Sequence, residues 1–411
     1  MPKRRLCIYG ALALAALASS LFLAKSVDLS VYWYAATGYF GGTRPAYGPD
    51  SGIGFPMEYR YAPVTYLLIY PLKWASFRVA GFWWMLAAWV TAIVSVSLAI
   101  RMRRLQFSPV SIVACCALML AYVVLAIRYG NVQPFVISWL LAAFVLSEAY
   151  PIWAGILLAL AVTFKLWPIM LLPWFIRGPR IRAAVSFAAA LLALWIAPFL
   201  VFGPARYLGL LRDWYEAVRR MGTTYSEFYY FPSQSLRGVL LRYLSPVDPP
   251  LKTFPHINFL SLPPHTVIVL WGIASVLVYS AIVLMLLRSG PGKQWAWDGA
   301  AFVMYSLLEP YAVKSGLISL GPAALIAASL YTVATRLPRT SAASRANALF
   351  LAACAISFFQ AIMQYKPWQR ILLSIGLDFW SNILLLAAFF LWIRSMPARA
   401  PDAVSASPDL D

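Results

Sequence analysis

The chain has 411 residues, of which 62% are hydrophobic and only 11% are charged, and its formal net charge is +19. A soluble domain carries about 25% charged residues, so this composition excludes an ordinary soluble fold and favours a surface covered by lipid. The basic residues lie between long apolar runs rather than on one polar face, which argues against nucleic acid as a partner.

Apolar runs long enough to cross a bilayer follow one another along the chain. We interpret the first, 6–24, as a transmembrane helix rather than a signal peptide, because the rest of the chain is equally apolar. Further runs lie at 79–100, 109–127, 132–147, 152–176, 182–202, 264–287, 298–308, 316–335, 346–362 and 371–393. The sequence therefore predicts an all-α, polytopic transmembrane bundle in which membrane lipids are partners.

Clusters of arginine and lysine between the runs indicate the topology. With a cytosolic N-terminus, these clusters fall on one face, as the positive-inside rule expects of cytoplasmic loops. This assignment requires the run 152–176 to cross twice, as two short helices broken near Lys165 and Pro168. The prediction is then about 12 crossings in one domain, 1–394, with both termini cytoplasmic and a disordered tail at 395–411.

Two long loops, 25–78 and 203–263, face outward in this topology. Apolar residues of the second loop recur at helical spacing, at Tyr207, Leu211, Trp214 and Val218, with charged residues between them. This pattern is typical of an amphipathic helix that lies in the membrane interface.

Three residues near the outer helix ends stand out as candidates for chemistry. Asp28 follows the first run among aromatic residues and serves either as a helix cap or as a reactive carboxylate. Lys165 interrupts an apolar run, where a lysine costs roughly 2.5–3.5 kcal/mol unless it snorkels to the interface. Lys314 lies at another helix break, where it either takes part in chemistry or forms a structural ion pair with Glu309.

One outward carboxylate surrounded by basic residues suits a particular reaction. Glycoside hydrolysis needs two carboxylates, one of which protonates a poor leaving group. A sugar on a lipid phosphate differs, because the phosphate leaves as a stable anion and needs only cations to stabilise it. Transfer then requires one carboxylate to take the proton of the acceptor hydroxyl. The only Asp-x-Asp pair, Asp409 and Asp411, lies in the terminal tail, so we expect no metal and no other cofactor.

Short motifs along most of the chain carry a resemblance to a known family. They lie at 28–36, 41–42, 45–47, 59–63, 71–72, 130–133, 155–161, 165–168 and 233–236, and at Arg242. In order and spacing they resemble glycosyltransferase family 87, polytopic proteins of the GT-C superfamily that include polyprenol-phosphate mannosyltransferases. The resemblance implies a GT-C fold, an outward active site, a polyprenyl-phosphate-sugar donor and inversion at the anomeric carbon. It also implies that Asp28 is the base.

The sequence departs from the family pattern at 309–316. Members often show Ser-Pro-x-x-Trp followed by histidines, whereas this chain has Glu309, Pro310 and Lys314 and no histidine there. Either Lys314 replaces a histidine that contacts phosphate, or the donor or acceptor has changed, or activity is lost.

We therefore interpret the chain as an inverting transferase of the cell membrane that moves mannose or another hexose to a glycolipid, polysaccharide or protein on the extracytoplasmic face. The candidate residues are Asp28 as base, Arg60, Lys165 and Lys314 for phosphate, Asn131 and Gln133 for sugar hydroxyls, Tyr59 for packing on lipid or sugar, and Arg242 for substrate binding. A transporter or flippase for lipid-linked sugars, or a non-catalytic membrane scaffold, remains as an alternative.

Overall fold

A computed structural model describes residues 18, 27–53, 57–220, 233–246, 254–310, 312–313, 316–336, 340–363 and 366–396. The described residues fold into helices joined by short connections, with no strand among them, which confirms the all-α prediction for this part of the chain. The predicted first span, apart from Ala18, and the predicted tail beyond Met396 lie outside the described residues.

The described α-helices are α1 (Val27–Phe40), α2 (Thr65–Ile69), α3 (Phe77–Met102), α4 (Pro109–Tyr129), α5 (Gln133–Leu146), α6 (Pro151–Phe164), α7 (Ile181–Phe202), α8 (Pro204–Arg220), α9 (Leu236–Leu244), α10 (Pro264–Arg288), α11 (Gln294–Leu308), α12 (Gly321–Arg336), α13 (Ser341–Ile362), α14 (Lys366–Ile375) and α15 (Leu377–Ser395). Tighter 3-10 turns lie at Pro49–Ser51, Tyr70–Trp74, Trp167–Trp174, Gly178–Arg180, Pro291–Lys293 and Gly316–Leu320.

Seven helical stretches in the described part are long and apolar enough to cross a membrane: α3, α4, α10, α13, α15, and α7 and α12 with the turns that precede them. Helices α5 and α6 are also apolar but have only 14 residues each. At 1.5 Å per residue each is roughly 21 Å long, shorter than the hydrocarbon core of about 30 Å. These stretches indicate a membrane protein, and the predicted number of about 12 crossings stays a prediction.

The break predicted within 152–176 is confirmed. Helix α6 ends at Phe164, and Lys165 has extended backbone angles (φ −138°, ψ 126°) before the tight turn Trp167–Trp174 begins. Pro168 cannot donate a backbone hydrogen bond, so a continuous α-helix is unfavourable here. Non-helical backbone of this kind is tolerated at membrane depth where it lines a cavity.

Helices α5, α6 and α11 form the centre of the described bundle. Every residue of α11 from Ala296 to Leu308 is buried, and α5 is buried on nearly all of its faces. Gly155 lets α6 approach the backbone of α7 at Phe187, where a Cβ atom would clash. The C-terminal ends of α6 and α11 and the N-terminal end of α5 meet at one end of the bundle.

The amphipathic helix predicted in the second outer loop is confirmed as α8. Its buried positions are Tyr207, Leu210 and Ala217, so the apolar face is turned by about one residue from the predicted Leu211 and Val218. The Trp214 indole Nε1 on this helix donates a hydrogen bond of 3.1 Å to the carbonyl of Arg60. This contact joins the second of the two predicted outer loops to the first.

Candidate active site

A cavity of about 330 Å³ lies at the end of the bundle where α5 begins and α6 and α11 end. Its walls come from α1, the segment 57–62, the break after α6, helix α8 and the residues after α11. The lining residues include Asp28, Glu58, Arg60, Tyr61, Lys165, Trp214 and Glu309. The structure thus brings together Asp28, Arg60 and Lys165, which are more than 30 residues apart in sequence.

Asp28 is oriented by an amide clamp. The Nδ2 atom of Asn131 donates a hydrogen bond of 2.7 Å to Oδ2 of Asp28. The other end of the amide is also fixed, because Asn131 Oδ1 accepts a 2.7 Å hydrogen bond from the backbone N–H of Gln133. Gly130, whose φ of 63° is left-handed, ends α4 and turns the chain so that Asn131 faces α1.

Burial raises the pKa of the Asp28 carboxyl above its ordinary value. The hydrogen bond from Asn131 and the positive charges of Lys165 and Arg60 act in the opposite direction, since they favour the ionised form. The carboxylate therefore lies in a wall where desolvation outweighs its partners, which makes it a stronger base than a solvated aspartate.

Lys165 makes an ion pair across the cavity wall. Its Nζ lies 3.2 Å from Oε1 of Glu309, and the two side chains are 21% and 5% exposed. The sequence suggested Lys314 as the ion-pair partner of Glu309, and Lys314 lies outside the described residues. The sequence does mark Glu309 as unusual, because it is an acidic residue at the end of an apolar run, directly before Pro310. It does not indicate that Lys165 is the partner.

A second layer of polar groups lies behind Glu309. The buried Tyr305 hydroxyl is beside both the Glu309 carboxylate and the Gln133 amide. The Gln133 side chain and the second oxygen of Glu309 are buried and have no well-formed hydrogen bond within the described residues. Gln133 thus lies behind the wall rather than in the cavity, and its proposed contact with a sugar stays a prediction.

Carboxylates outnumber cations among the described lining residues. Asp28, Glu58 and Glu309 face two basic side chains, Arg60 and Lys165. The cavity was predicted to be rich in positive charge for a phosphate, so the excess of acid is a difference from that expectation. It follows that each of the two described cations already has acidic neighbours before any ligand binds.

Tyr59 and Arg242 do not line this cavity. Tyr59 is fully buried, and its hydroxyl lies 2.6 Å from Oγ1 of Thr65 in a cluster of packed tyrosines. Arg242 is 3% exposed and donates hydrogen bonds to the carbonyls of Ser374, at 2.7 Å, and Ser233, at 2.6 Å. In this structure Tyr59 packs within the segment 57–66, and Arg242 joins α9 to the residues on either side of it in space.

A smaller apolar hollow of about 110 Å³ adjoins the clamp from the other side. Trp84, Trp89 and Val123 line it, and Asn131 is its polar edge. Asn131 therefore stands between a polar cavity and an apolar one, an arrangement that suits a ligand with a polar head and a lipid tail.

Metal ligands are not clustered in the described part of the chain. No group of three or more His, Cys, Asp or Glu side chains there has an arrangement that could hold a metal ion. The nearest acids of the cavity, Asp28 and Glu309, are committed to Asn131 and Lys165 respectively.

The family model of glycosyltransferase family 87 matches residues 59–288, more than half of the chain. No curated protein matches the sequence, and no solved structure does. The matched segment contains Arg60, Asn131 and Lys165, whereas Asp28 precedes it and Glu309 follows it.

Proposed function

The chain belongs to glycosyltransferase family 87, and we propose that it transfers mannose or another hexose from a polyprenyl-phosphate donor to an acceptor on the extracytoplasmic face of the cell membrane. Family membership indicates glycosyltransferase activity. The observation that carries the finer proposal is the Asp28 carboxylate, which Asn131 holds in the wall of the cavity. Lys165 and Arg60 are close enough to favour its ionised form.

The proposed reaction is a single displacement. The acceptor hydroxyl gives its proton to Asp28 as its oxygen forms a bond to the anomeric carbon from the side opposite the phosphate. The bond between the anomeric carbon and the phosphate oxygen breaks, and the electron pair leaves with the phosphate. Inversion follows from the opposite approach, and no acid is needed because phosphate is a stable leaving group.

Cations on the leaving side complete this chemistry. Lys165 and Arg60 line the same cavity as Asp28 and would stabilise the negative charge that develops on the departing phosphate. The polyprenyl chain would leave the polar cavity through lipid-exposed helices, and the apolar hollow beside Asn131 offers room for its first carbons.

The test is turnover by the purified protein in detergent. The protein is incubated with a panel of polyprenyl-phosphate sugars and a membrane lipid extract, and new glycosylated products are sought by mass. A product that depends on one donor supports the proposal. A transporter needs a sealed membrane and gives no product in detergent, so transport in vesicles without product would overturn it.

A further inference from the structure

Glu309 is a buried carboxylate in the cavity wall to which the proposed reaction assigns no task. The residue is 4% exposed, one oxygen contacts Lys165, and the other oxygen makes no well-formed hydrogen bond among the described residues. A buried carboxylate is tolerated in such a wall only because a counter-charge compensates its desolvation. Lys165 supplies that charge here.

The same Lys165 is needed by the donor. A phosphodiester brings one negative charge into a cavity whose described walls already hold three carboxylates and two cations. One ammonium group cannot fully neutralise both a phosphate and Glu309. If Lys165 turns to the phosphate, Glu309 is left as a buried charge without a partner, and such a group is neutralised by a proton instead.

Neutral polar groups lie behind Glu309. The Tyr305 hydroxyl on α11 lies beside it, and the Gln133 amide at the start of α5 lies beside that hydroxyl. The charged and titratable groups around Glu309 are Lys165 from the break after α6, Tyr305 from α11, Tyr61 from the segment 57–62, and Asp28, Glu58 and Arg60 across the cavity. Burial raises the pKa of Tyr61, so this tyrosine stays neutral throughout the physiological range.

We propose that donor binding exchanges the partner of Lys165: the ammonium group moves from Glu309 to the donor phosphate, and Glu309 takes up one proton from solution. This inference rests on the proposed function, because it assumes a phosphate ligand. Glu309 is then a positioning residue that holds Lys165 in the cavity until a donor arrives. When the phosphate product leaves, Lys165 returns and Glu309 releases its proton.

The first experiment measures binding of farnesyl phosphoryl mannose from about pH 5.5 to about pH 8.5. This phosphodiester has a fixed single charge, so any pH dependence belongs to the protein. Binding that takes up a proton is favoured at low pH, and the affinity should fall by up to about tenfold per pH unit as the pH rises. In Glu309→Gln, which imitates the protonated state, the affinity should be independent of pH.

Two matched variants exclude the other carboxylates of the cavity. Asp28→Asn and Glu58→Gln should each keep the pH dependence of donor binding. A dependence that disappears in Asp28→Asn and persists in Glu309→Gln would overturn the exchange. Binding by the unmodified protein without any pH dependence would overturn it too, while leaving the proposed function intact. If the unmodified protein binds no polyprenyl phosphodiester at any pH, the proposed function itself fails, and this inference fails with it.

A second measurement needs no variant and remains decisive if Glu309→Gln does not fold. Calorimetric titration of the unmodified protein in two buffers with different ionisation enthalpies counts the protons taken up on binding. We expect about one proton per donor near neutral pH. A value of zero would contradict the exchange.

Discussion

Two buried groups of charged residues lie at opposite ends of the central helices. At one end, both terminal nitrogens of Arg180 donate to Asp298, at 2.8 and 3.0 Å, and its Nε donates to Glu148 at 3.1 Å. Arg180 and Asp298 are 2% and 0% exposed. All three of these hydrogen bonds end on carboxylates, so the charge of the guanidinium is balanced without a ligand.

The group at the cavity end is incomplete. Lys165 reaches Glu309 through one contact of 3.2 Å, and Asp28 is held by the neutral Asn131 rather than by a cation. Roughly 16 Å of helix α11 separates this end from Asp298, at 1.5 Å per residue. The comparison teaches that burial of charge alone does not identify a site. Charged residues whose polar atoms are all paired with one another join helices. Charged residues that border a cavity and have polar atoms left to pair can bind a ligand.

The most decisive test of this comparison asks which end faces outward. In a background from which the native cysteines are removed, exposed positions at the two ends are replaced in turn by Thr43→Cys and Ser341→Cys. We expect an impermeant thiol reagent to label Thr43→Cys in intact cells and Ser341→Cys only after permeabilisation. The reverse pattern would place the cavity on the cytosolic side and contradict the proposed outward active site.

The largest kinetic effect is expected at Asp28. Asp28→Asn keeps the shape and the contact with Asn131 but removes the base, so the transfer rate should fall by about 10²–10⁴-fold. Thermal stability should stay near that of the unmodified protein, because the Asn side chain still fits the clamp. The matched control is Asp50→Asn, an exposed acid on the same loop, which should keep full activity. Full activity of Asp28→Asn would refute the mechanism.

At the complete end, the expected effect is on stability instead. Asp298→Ala leaves the Arg180 guanidinium partly unpaired in the core, and removal of one partner of a buried ion pair costs about 3–5 kcal/mol. The control is Glu216→Ala, which breaks the exposed pair with Arg219 and should cost no more than about 1 kcal/mol. Unfolding in a mild detergent measures both. Equal stabilities would show that the Arg180 group is not what holds these helix ends together.

The helices between these two ends show which parts of the fold could be predicted from the sequence. The apolar runs predicted the helices well because lipid contact demands long apolar stretches, and Lys165 with Pro168 predicted the break after α6. The predicted run 371–393 merged the second half of helix α14 with α15. The boundary between them is at Gly376, whose left-handed φ of 75° cannot be inferred from hydropathy. The helical spacing of apolar residues also predicted the buried face of α8 only to within one residue.

The sequence selected three residues that line the cavity, but it did not reveal how the charged groups of the cavity pair. Asp28, Arg60 and Lys165 were selected as unusual charges near outer helix ends, and the fold brings them to one cavity. The partner of Glu309 depends on how the ends of α6 and α11 pack, which is a contact between residues 144 positions apart. Arg242 was selected from the resemblance as a substrate-binding residue. Its hydrogen bonds to the backbone carbonyls of Ser233 and Ser374 also depend on packing between distant segments, so they could not be predicted from the sequence.

A smaller kinetic effect is expected at Lys165. Lys165→Ala removes a cation from the leaving phosphate and should lower turnover by about 10²-fold, the size seen when one stabilising donor is lost. Lys165→Arg keeps the charge and should retain more of the rate. Transfer assays on protein with an unchanged size-exclusion profile measure this difference. Near-native rates for both variants would remove Lys165 from the site and return it to the snorkelling interpretation.

The smallest effect is expected at Asn131, where it appears as a change in pH dependence. The base must be ionised, so the rate of transfer falls on the acid side as Asp28 becomes protonated. Asn131 donates to the carboxylate and thereby favours the ionised form, against the burial that raises the pKa of Asp28. In Asn131→Ala this support is lost, and the pKa rises further. The acid limb should therefore move toward neutral pH, with little change on the alkaline side.

The same variant separates two roles of Asn131. If its amide binds a sugar hydroxyl of the substrate instead, Asn131→Ala raises KM at every pH and leaves the acid limb in place. Asn258→Ala serves as the control, since this amide bonds to the carbonyl of Leu260 outside the cavity. A full pH profile of kcat/KM for the two variants decides between the roles. A shifted limb supports the clamp, because only a group that holds the ionised carboxylate can move the pH at which the base is lost.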